Sequence, residues 1–187
     1  MISRITTTDH FVRTLLLLFI LTATGGLCAE ERQVPTAGEK ALKVAFIYNF
    51  IKFSRWPANH TLSQTPVLRA CVFGRIEFRR QLATIDGKQI SDHRVEVKYI
   101  GKIEQGQACH ILFVGFLEPK LFSALLTKTK DAPVLTISDN EAFSTSGGMI
   151  EIFQSDQKLQ FKINNKKVNQ VGIKLSSKVL KLAEIVE

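Results

Sequence analysis

Residues 109–115 read CHILFVG, and the four residues Ile111–Val114 at the centre of this stretch are all apolar. A strand that is covered on both faces carries such an unbroken apolar run, whereas a strand with one solvated face alternates apolar and polar residues. Two further runs have the same character, namely VLRACVF at 67–73 and VLTI at 134–137. Together the three segments predict the buried centre of a parallel sheet.

Segments with helical signals separate these strands. Thr36 followed by Glu39 fits a capping box, and the helix that begins there should end before Pro57, because a residue that precedes proline avoids the α region. A second helix is predicted over 75–83, and Pro119 marks the first turn of a third. Strands that alternate with helices favour a sheet with helices on both faces.

The last third of the chain adds antiparallel and helical features. Two apolar runs, 149–153 and 159–163, are separated by the polar segment 154–158, which is a hairpin signal. From Lys166 onward apolar residues recur every three or four positions and predict a terminal amphipathic helix. The predicted fold class is therefore α/β, with a mostly parallel sheet, helices on both faces and a C-terminal antiparallel hairpin, in a three-layer, Rossmann-like arrangement.

The first residues predict export. Arg4 and Arg13 precede the apolar run 15–21, LLLLFIL, which is shorter than the roughly 20 residues that cross a bilayer. A basic start, a short apolar run and a small residue at the cut describe a secretory signal peptide. We place cleavage between Ala29 and Glu30, so that residues 1–29 are a signal peptide and residues 30–187 a single periplasmic domain.

Three cysteines accompany this prediction. Cys28 leaves with the signal peptide; the alternative is a lipoprotein with Cys28 as its acylated first residue, although Leu27 stands where such proteins have a small residue. Cys71 and Cys109 then remain in an oxidising compartment, where an even pair usually bridges. Closing a loop of about 40 residues would stabilise the fold by roughly 4 kcal/mol. The alternative is two unpaired, buried thiols.

Charge gives a weak signal. Without the first 29 residues the chain has 23 Lys and Arg against 16 Asp and Glu. An excess of positive charge suits nucleic acid, an anionic membrane or an acidic partner. Because basic and acidic residues are interspersed, and only Lys162, Lys166 and Lys167 cluster, the pattern favours a solvated surface and no nucleic-acid partner.

No catalytic, cofactor or metal residues are predicted. The segment after the first strand, FGRIEFRR at 73–80, lacks the glycines of a dinucleotide or phosphate loop. His60, His93 and His110 lack the four-residue spacing that aims two imidazoles at one zinc ion, and each is interpreted as a surface or structural residue. Without a recognisable pair of nucleophile and base, a hydrolase is disfavoured.

Two polar groups near residue 145 are weak candidates. The segment TSGG at 145–148 resembles a serine turn, but it lacks the G-x-S-x-G pattern and is interpreted as a glycine turn that enters the hairpin. Asp139, Glu141 and Glu151 form a loose acidic group that would suit a cation or an acid–base pair, yet no spacing demands either.

Trp56 is a possible anchor for a protein partner. It follows the Phe-rich helix, whose aromatic residues are interpreted mainly as core. Tryptophan at an exposed helix end is the type of residue that dominates binding energy at interfaces.

Several segments, taken in order, resemble the YfiR family of periplasmic proteins. They are VAFIYNFIKFSRWP, RACVFG, CHILFVG, PVLTISD, GGMIEIF and the closing FKINNKKVNQVGIKLSSKVLKLA. The similarity covers nearly all of the chain that follows the signal peptide. The combination of K-F-x-x-W-P, G-G-M-I and S-S-K-x-L is its most distinctive part.

The resemblance implies a non-enzymatic regulator without a cofactor. A well-understood member of the family binds the periplasmic sensor domain of an inner-membrane diguanylate cyclase and represses it, which lowers cyclic di-GMP and biofilm formation. An outer-membrane lipoprotein that sequesters the regulator, and a homodimer, are further partners that the resemblance implies. In that member repression depends on disulfide state, and Cys71 and Cys109 match one of its two bridges. The second has no counterpart, because residues 140–153 contain no cysteine.

The alternative is a periplasmic protein that binds a small ligand. Open α/β sheets hold ligands in a crevice at the carboxyl ends of their strands. The sequence places that crevice near Gly74, Gly115 and Asp139.

Overall fold

The computed structural model describes residues 36–58 and 64–187. The predicted signal peptide, its cleavage point between Ala29 and Glu30, and His60 lie outside these residues. Five α-helices are described: α1 (Ala37–Phe53), α2 (Arg79–Leu82), α3 (Pro119–Thr129), α4 (Asn165–Gln170) and α5 (Ser177–Leu180). Ten strands accompany them: β1 (Ser54–Arg55), β2 (Val67–Phe73), β3 (Gln89–Ile90), β4 (His93–Ile100), β5 (Ile111–Val114), β6 (Leu135–Ser138), β7 (Ile150–Ser155), β8 (Lys158–Asn164), β9 (Lys174–Leu175) and β10 (Glu184–Val186).

Eight of these strands form one sheet, in the order β10-β8-β7-β6-β5-β2-β4-β3. The five central strands, from β4 to β7, are mutually parallel, while β3 runs antiparallel to β4 and β8 runs antiparallel to β7. β10 lies parallel to β8 at one edge, and β1 pairs with β9 in a separate two-stranded ribbon. The predicted α/β class, its mostly parallel sheet and its hairpin are confirmed.

Alternate residues of the central strands face two different hydrophobic cores. On β2, Ala70 and Val72 pack in the larger core, whereas Cys71 and Phe73 pack in the smaller one on the opposite face. The same alternation holds on β5, where Phe113 and its neighbours are at most 1% exposed. Since burial of one such side chain is worth about 1.5–3 kcal/mol, the apolar runs hold the sheet between its helical layers.

Helix α1 covers the larger core. Its first turn is capped by Thr36, whose hydroxyl accepts a hydrogen bond from Glu39 N at 3.1 Å. Its inward face contributes a row of buried side chains to the core: Val44, Ile47, Phe50 and Ile51. The helix ends at Phe53, before the predicted proline boundary, and the next two residues turn into β1.

On the opposite face lie α3 and a 3₁₀ helix over Ile103–Ala108. Leu125 of α3 is fully buried in the smaller core together with Phe143, whose ring meets that of Phe122 edge-on at 5.6 Å. The helical layers on both faces therefore follow the predicted arrangement.

Two sequence predictions need correction. The helix predicted over 75–83 is reduced to the single turn α2, followed by a 3₁₀ turn over Ala83–Ile85. The predicted terminal helix does not form; α4, β9, α5 and β10 replace it. Gly172 interrupts the helical periodicity, since its φ of +77° is a left-handed conformation that glycine adopts without strain. Leu182, which a continuous amphipathic helix would bury, is 76% exposed.

Within the described residues, no helix combines the length and apolar character that a membrane span requires.

Candidate functional site

A cleft of about 740 Å³ lies at the amino ends of the central strands. Its floor includes Leu68 near the start of β2, His93 at the start of β4 and His110 just before β5. One wall is the ribbon formed by β1 and β9, and the other includes the turn between β3 and β4. Segments that are distant in sequence therefore assemble the cleft.

The wall formed by β1 and β9 depends on a close backbone approach. Ser54 pairs with Leu175, and Ser176 N donates to the carbonyl of Phe53 at 2.9 Å. Gly172 lies against Pro57, so closely that a β-carbon added at Gly172 would be 2.9 Å from the proline ring. The segment after α4 can therefore reach the end of α1 only because residue 172 has no side chain.

Trp56 carries the most unusual group in the cleft. Its indole packs against the larger core and meets the ring of His110 edge-on, with centroids 5.4 Å apart. Its Nε1 is buried and has no hydrogen-bond partner among the described residues. An unpaired buried donor costs about 1–3 kcal/mol. The ring of Trp56 therefore lines the cleft, while its Nε1 atom is enclosed by protein and remains an unpaired donor among the described residues.

The rest of the cleft is polar and mainly cationic. Lys52, Arg55 and Lys174 line it, and Asp92 is the only acidic residue among the described residues of the lining. His110 is buried and accepts a hydrogen bond at Nδ1 from Arg69 N at 3.0 Å. The positive charge of this lining suits an anionic group.

The opposite end of the sheet is closed. The backbones that leave β2 and β5 pair with each other, since Arg75 N donates to Phe116 O at 3.4 Å and Phe116 N to Arg75 O at 3.0 Å. A β-carbon at Gly74 would be 2.9 Å from Phe116 O, and one at Gly115 would collide with the carbonyl of Arg75. The backbones around Gly74 and Gly115 therefore pack directly against each other, and the crevice predicted near them stays a prediction.

Asp139, the third residue of that predicted crevice, forms an ion pair with a lysine of α1. Lys43 on α1 is buried, with Nζ 2.9 Å from Asp139 Oδ2 and 3.2 Å from Glu39 Oε1. Burial by itself lowers the pKa of Lys43, but the charges and hydrogen bonds of Asp139 and Glu39 outweigh it, so the pKa of Lys43 is raised. The pair connects α1 to the carboxyl end of β6 and holds the ammonium charged.

A second polar network surrounds Glu151. Its carboxylate accepts hydrogen bonds from the backbone N of Ser144 at 3.0 Å and from the hydroxyl of Ser144 at 2.7 Å. Asn164 Nδ2 in turn donates to Ser144 O at 3.1 Å. The hydroxyl of Ser144 is thus engaged in fixing the turn before β7. Glu141 is exposed and forms no hydrogen bond or ion pair with the described residues of this network. The three acidic residues of the predicted group therefore have separate structural roles.

Cys71 and Cys109 are joined by a disulfide, with their Cα atoms 5.9 Å apart. The bond connects the middle of β2 to the residue that precedes His110, and its sulfurs lie in the smaller core. The disulfide therefore fixes the position of His110, in the floor of the cleft, relative to β2.

Within the described residues, no three His, Cys, Asp or Glu side chains come together in a way that would hold a metal ion. Sequence reasoning missed Lys43, the network around Ser144 and the cleft itself. A lysine at the same helical face as Ile47 was the available signal for a buried, paired charge. No feature of the sequence pattern predicts that Nε1 of Trp56 has no hydrogen-bond partner among the described residues.

Fold and cleft define a class: an open α/β domain with a cleft at the amino ends of its strands. The family model described as YfiR/HmsC-like matches residues 40–184. The chain belongs to this family. Its members are periplasmic regulatory proteins that act with a partner protein.

Two solved structures are similar in part. An ABC domain from Streptococcus pneumonia, in complex with L-Trp, matches with a TM-score of 0.44 and 11% identity over 64% of this chain and 55% of that one. A conserved domain protein from Vibrio cholerae matches with a TM-score of 0.48 and 9% identity over 79% of this chain and 60% of that one. The chain thus spans somewhat more than half of the length of each.

Proposed function

We propose that this protein is a non-enzymatic periplasmic repressor. It binds the periplasmic sensor domain of an inner-membrane diguanylate cyclase, holds the cyclase inactive and so lowers cyclic di-GMP and biofilm formation. The observation that carries the proposal is membership of the YfiR/HmsC-like family over residues 40–184. The proposal includes export as a single domain, residues 30–187, after cleavage between Ala29 and Glu30.

Trp56 is retained as the proposed partner anchor, with a defined direction of access. Its ring packs on the core and against His110 and also lines the cleft, so we propose that a partner reaches it from the cleft. A side chain that enters from there would cover the exposed part of the ring. Well-packed aromatic residues in desolvated pockets contribute most of the binding energy at many interfaces.

Two further assemblies belong to the proposal. An outer-membrane lipoprotein would sequester the repressor and release the cyclase, and a homodimer would present two clefts to paired sensor domains. Both assemblies are proposed from the family alone. Measurement of the molecular mass of the exported protein in solution, with and without each partner, tests them.

A binding experiment with the sensor domain tests the main proposal. The wild-type exported protein should bind the purified sensor domain in isothermal titration calorimetry, and deletion of its gene should raise cyclic di-GMP. Trp56→Phe, which keeps an aromatic ring but removes the donor, should weaken binding. Lys158→Ala, at the exposed start of β8, is the control and should bind as wild type does. An unchanged cyclic di-GMP level after deletion would refute the repressor role.

A small-ligand receptor is the second candidate, and the cleft is the observation that favours it. A cleft lined by Lys52, Arg55 and Lys174 suits a small molecule with a carboxylate or phosphate group. Its occupancy would then modulate binding of the sensor domain.

Thermal unfolding in the presence of a panel of small carboxylates and phosphates tests this second role. A saturable rise in Tm that Trp56→Phe removes supports it. A panel in which every compound raises Tm of both proteins equally points to general ionic stabilisation and contradicts a specific site.

A further inference from the structure

The side chain of His110 bonds to the backbone of β2 just before β5 begins. The backbone N of Arg69 donates to His110 Nδ1 at 3.0 Å, and the backbone N of His110 donates to Arg69 O at 3.0 Å. The next residues along the two segments, Ala70 and Ile111, are the first pair of the β2–β5 ladder. The imidazole therefore adds one hydrogen bond to this ladder, in the floor of the cleft.

This hydrogen bond determines the protonation state of the ring. A backbone N–H can only donate, so Nδ1 must present its lone pair, and the proton of the neutral ring lies on Nε2. Uptake of a second proton at Nδ1 would place two donors against each other and break the bond to Arg69. His110 is 2% exposed, so the ring must move before solvent can replace the lost contact. The described arrangement therefore requires a neutral His110.

The charged groups near His110 are mostly cationic. On β2 the guanidinium of Arg69 pairs with Glu96 of β4 at 3.3 Å and donates to Ala108 O at 3.4 Å. β6, whose Leu135 N donates to His110 O at 2.9 Å, has no titratable residue. The other titratable side chains of the cleft lining, among the described residues, are Lys52, Arg55, Asp92, His93 and Lys174. A mainly positive surrounding opposes a further positive charge.

The ring of His110 also positions Trp56. The indole meets the imidazole edge-on, with centroids 5.4 Å apart, and both side chains line the cleft. A His110 ring that moves or gains a charge changes this contact directly. The protonation state of one buried side chain is therefore coupled to the surface that the cleft presents.

We propose that His110 is a pH-sensitive switch in the floor of the cleft. The neutral imidazole holds β2, the start of β5 and Trp56 in the described arrangement. On acidification a proton from solvent binds Nδ1, the bond from Arg69 N is lost, and the ring of Trp56 is released. Acid pH thereby weakens binding of the sensor domain through the cleft, and this last step rests on the proposed function.

Fluorescence makes the switch observable in the exported protein without a partner, because Trp56 is the only tryptophan of the chain. Its emission should change reversibly between about pH 8 and about pH 5, a range that spans the ordinary histidine value of about 6.5. An imidazolium that contacts an indole quenches its fluorescence, whereas far-UV circular dichroism should stay constant.

Two variants assign the transition to one histidine. His110→Asn should remove it, because Oδ1 of asparagine is as many bonds from the backbone as Nδ1 of histidine, accepts a hydrogen bond and does not titrate. His93→Asn changes the other described histidine of the cleft and should keep the transition. A transition that is absent from wild type, that persists in His110→Asn or that is lost in His93→Asn would overturn the proposal.

Nuclear magnetic resonance of the wild-type ring nitrogens provides a measurement that does not depend on folding of His110→Asn. At about pH 8 the proton of His110 should lie on Nε2, and protonation of the ring at lower pH should be accompanied by loss of the hydrogen bond from Arg69 N. A proton on Nδ1 at about pH 8, or a hydrogen bond that survives protonation, contradicts the switch.

Calorimetry with the purified sensor domain tests the regulatory step. Wild type should bind about 10-fold more weakly at about pH 5 than at about pH 8, since one linked proton changes an affinity by at most about tenfold for each pH unit. His110→Asn should stay within about 2-fold, and comparison with it cancels any titration of the sensor domain. Equal pH dependence in both proteins refutes the regulatory step. If wild type binds at neither pH, the repressor role and its regulation are both refuted, and fluorescence still decides the switch itself.

Discussion

At the carboxyl ends of β2 and β5 the departing backbones hydrogen-bond to each other, whereas at the amino ends of the same two strands the chain separates around a cleft of about 740 Å³. Open α/β sheets more often place their crevice at the carboxyl ends. Here Gly74 and Gly115 allow the backbone to fill that position, and the ribbon of β1 and β9 builds a new cavity opposite. The comparison teaches that the location of a site depends on the segments around the sheet as well as on strand order.

Removal of the disulfide should have the largest effect, and this effect should be concentrated at the end of the sheet that contains the cleft. Cys71→Ala/Cys109→Ala should lower the free energy of unfolding by about 4 kcal/mol, because the bond closes a loop of 38 residues in the unfolded chain. Urea denaturation of wild type with and without reductant should show the same loss. Hydrogen exchange should reveal the largest loss of protection around His110, at the cleft floor. Equal loss at both ends of the sheet would mean that the bond does not brace the cleft specifically.

Gly115→Ala tests how tightly the other end is closed. The added β-carbon would be 2.8 Å from both the carbonyl carbon of Arg75 and Cγ2 of Ile76, so we expect a loss of about 2–3 kcal/mol in chemical denaturation. Gly101→Ala is the matched control, since nothing lies within 4 Å of its added β-carbon, and it should change stability by less than about 1 kcal/mol. A similar cost for both variants would show that backbone entropy, not the closed end, determines the effect.

The ion pair between α1 and β6 should matter less. Asp139→Asn should cost about 1–2 kcal/mol at neutral pH, because it leaves the buried Lys43 with Glu39 as its remaining partner. Asp131→Asn, which removes an exposed pair with Lys130, should cost almost nothing.

The pH dependence of this difference has a definite sign. The pKa of Lys43 is raised on folding, so its contribution is fully present below its ordinary value of 10.5 and is lost as pH rises through the raised value. The stability difference between wild type and Asp139→Asn should therefore be constant from neutral pH to about pH 10 and shrink above it. A difference that already shrinks between pH 8 and pH 9 would contradict a raised pKa.

Trp56→Phe should have the smallest effect on stability and a clear effect on binding. The smaller ring loses apolar contact, but the variant also removes the unpaired donor, so the two contributions nearly cancel and the net change should be below about 1 kcal/mol. Phe53→Leu trims the same cleft wall without removing a donor and should cost about 1 kcal/mol. A Trp56→Phe variant that is destabilised by several kcal/mol would indicate that Nε1 has a partner, such as a fixed water molecule.

The sequence predicted the sheet well because its signals are local. Unbroken apolar runs identified β2 and β5, and the two apolar runs around residue 156 identified the hairpin. The terminal helix was predicted wrongly because apolar spacing alone cannot show that Gly172 adopts a positive φ in order to approach Pro57. The cleft was not predicted, since it requires β1 and β9 to meet, and no local pattern specifies that contact.

The two edge strands of the large sheet are short, since β3 has two residues and β10 has three. An extra strand from another molecule would gain only a few backbone hydrogen bonds at either margin, which does not repay the entropy of ordering it. Molecules crowded together at high concentration should therefore resist fibril growth through edge pairing.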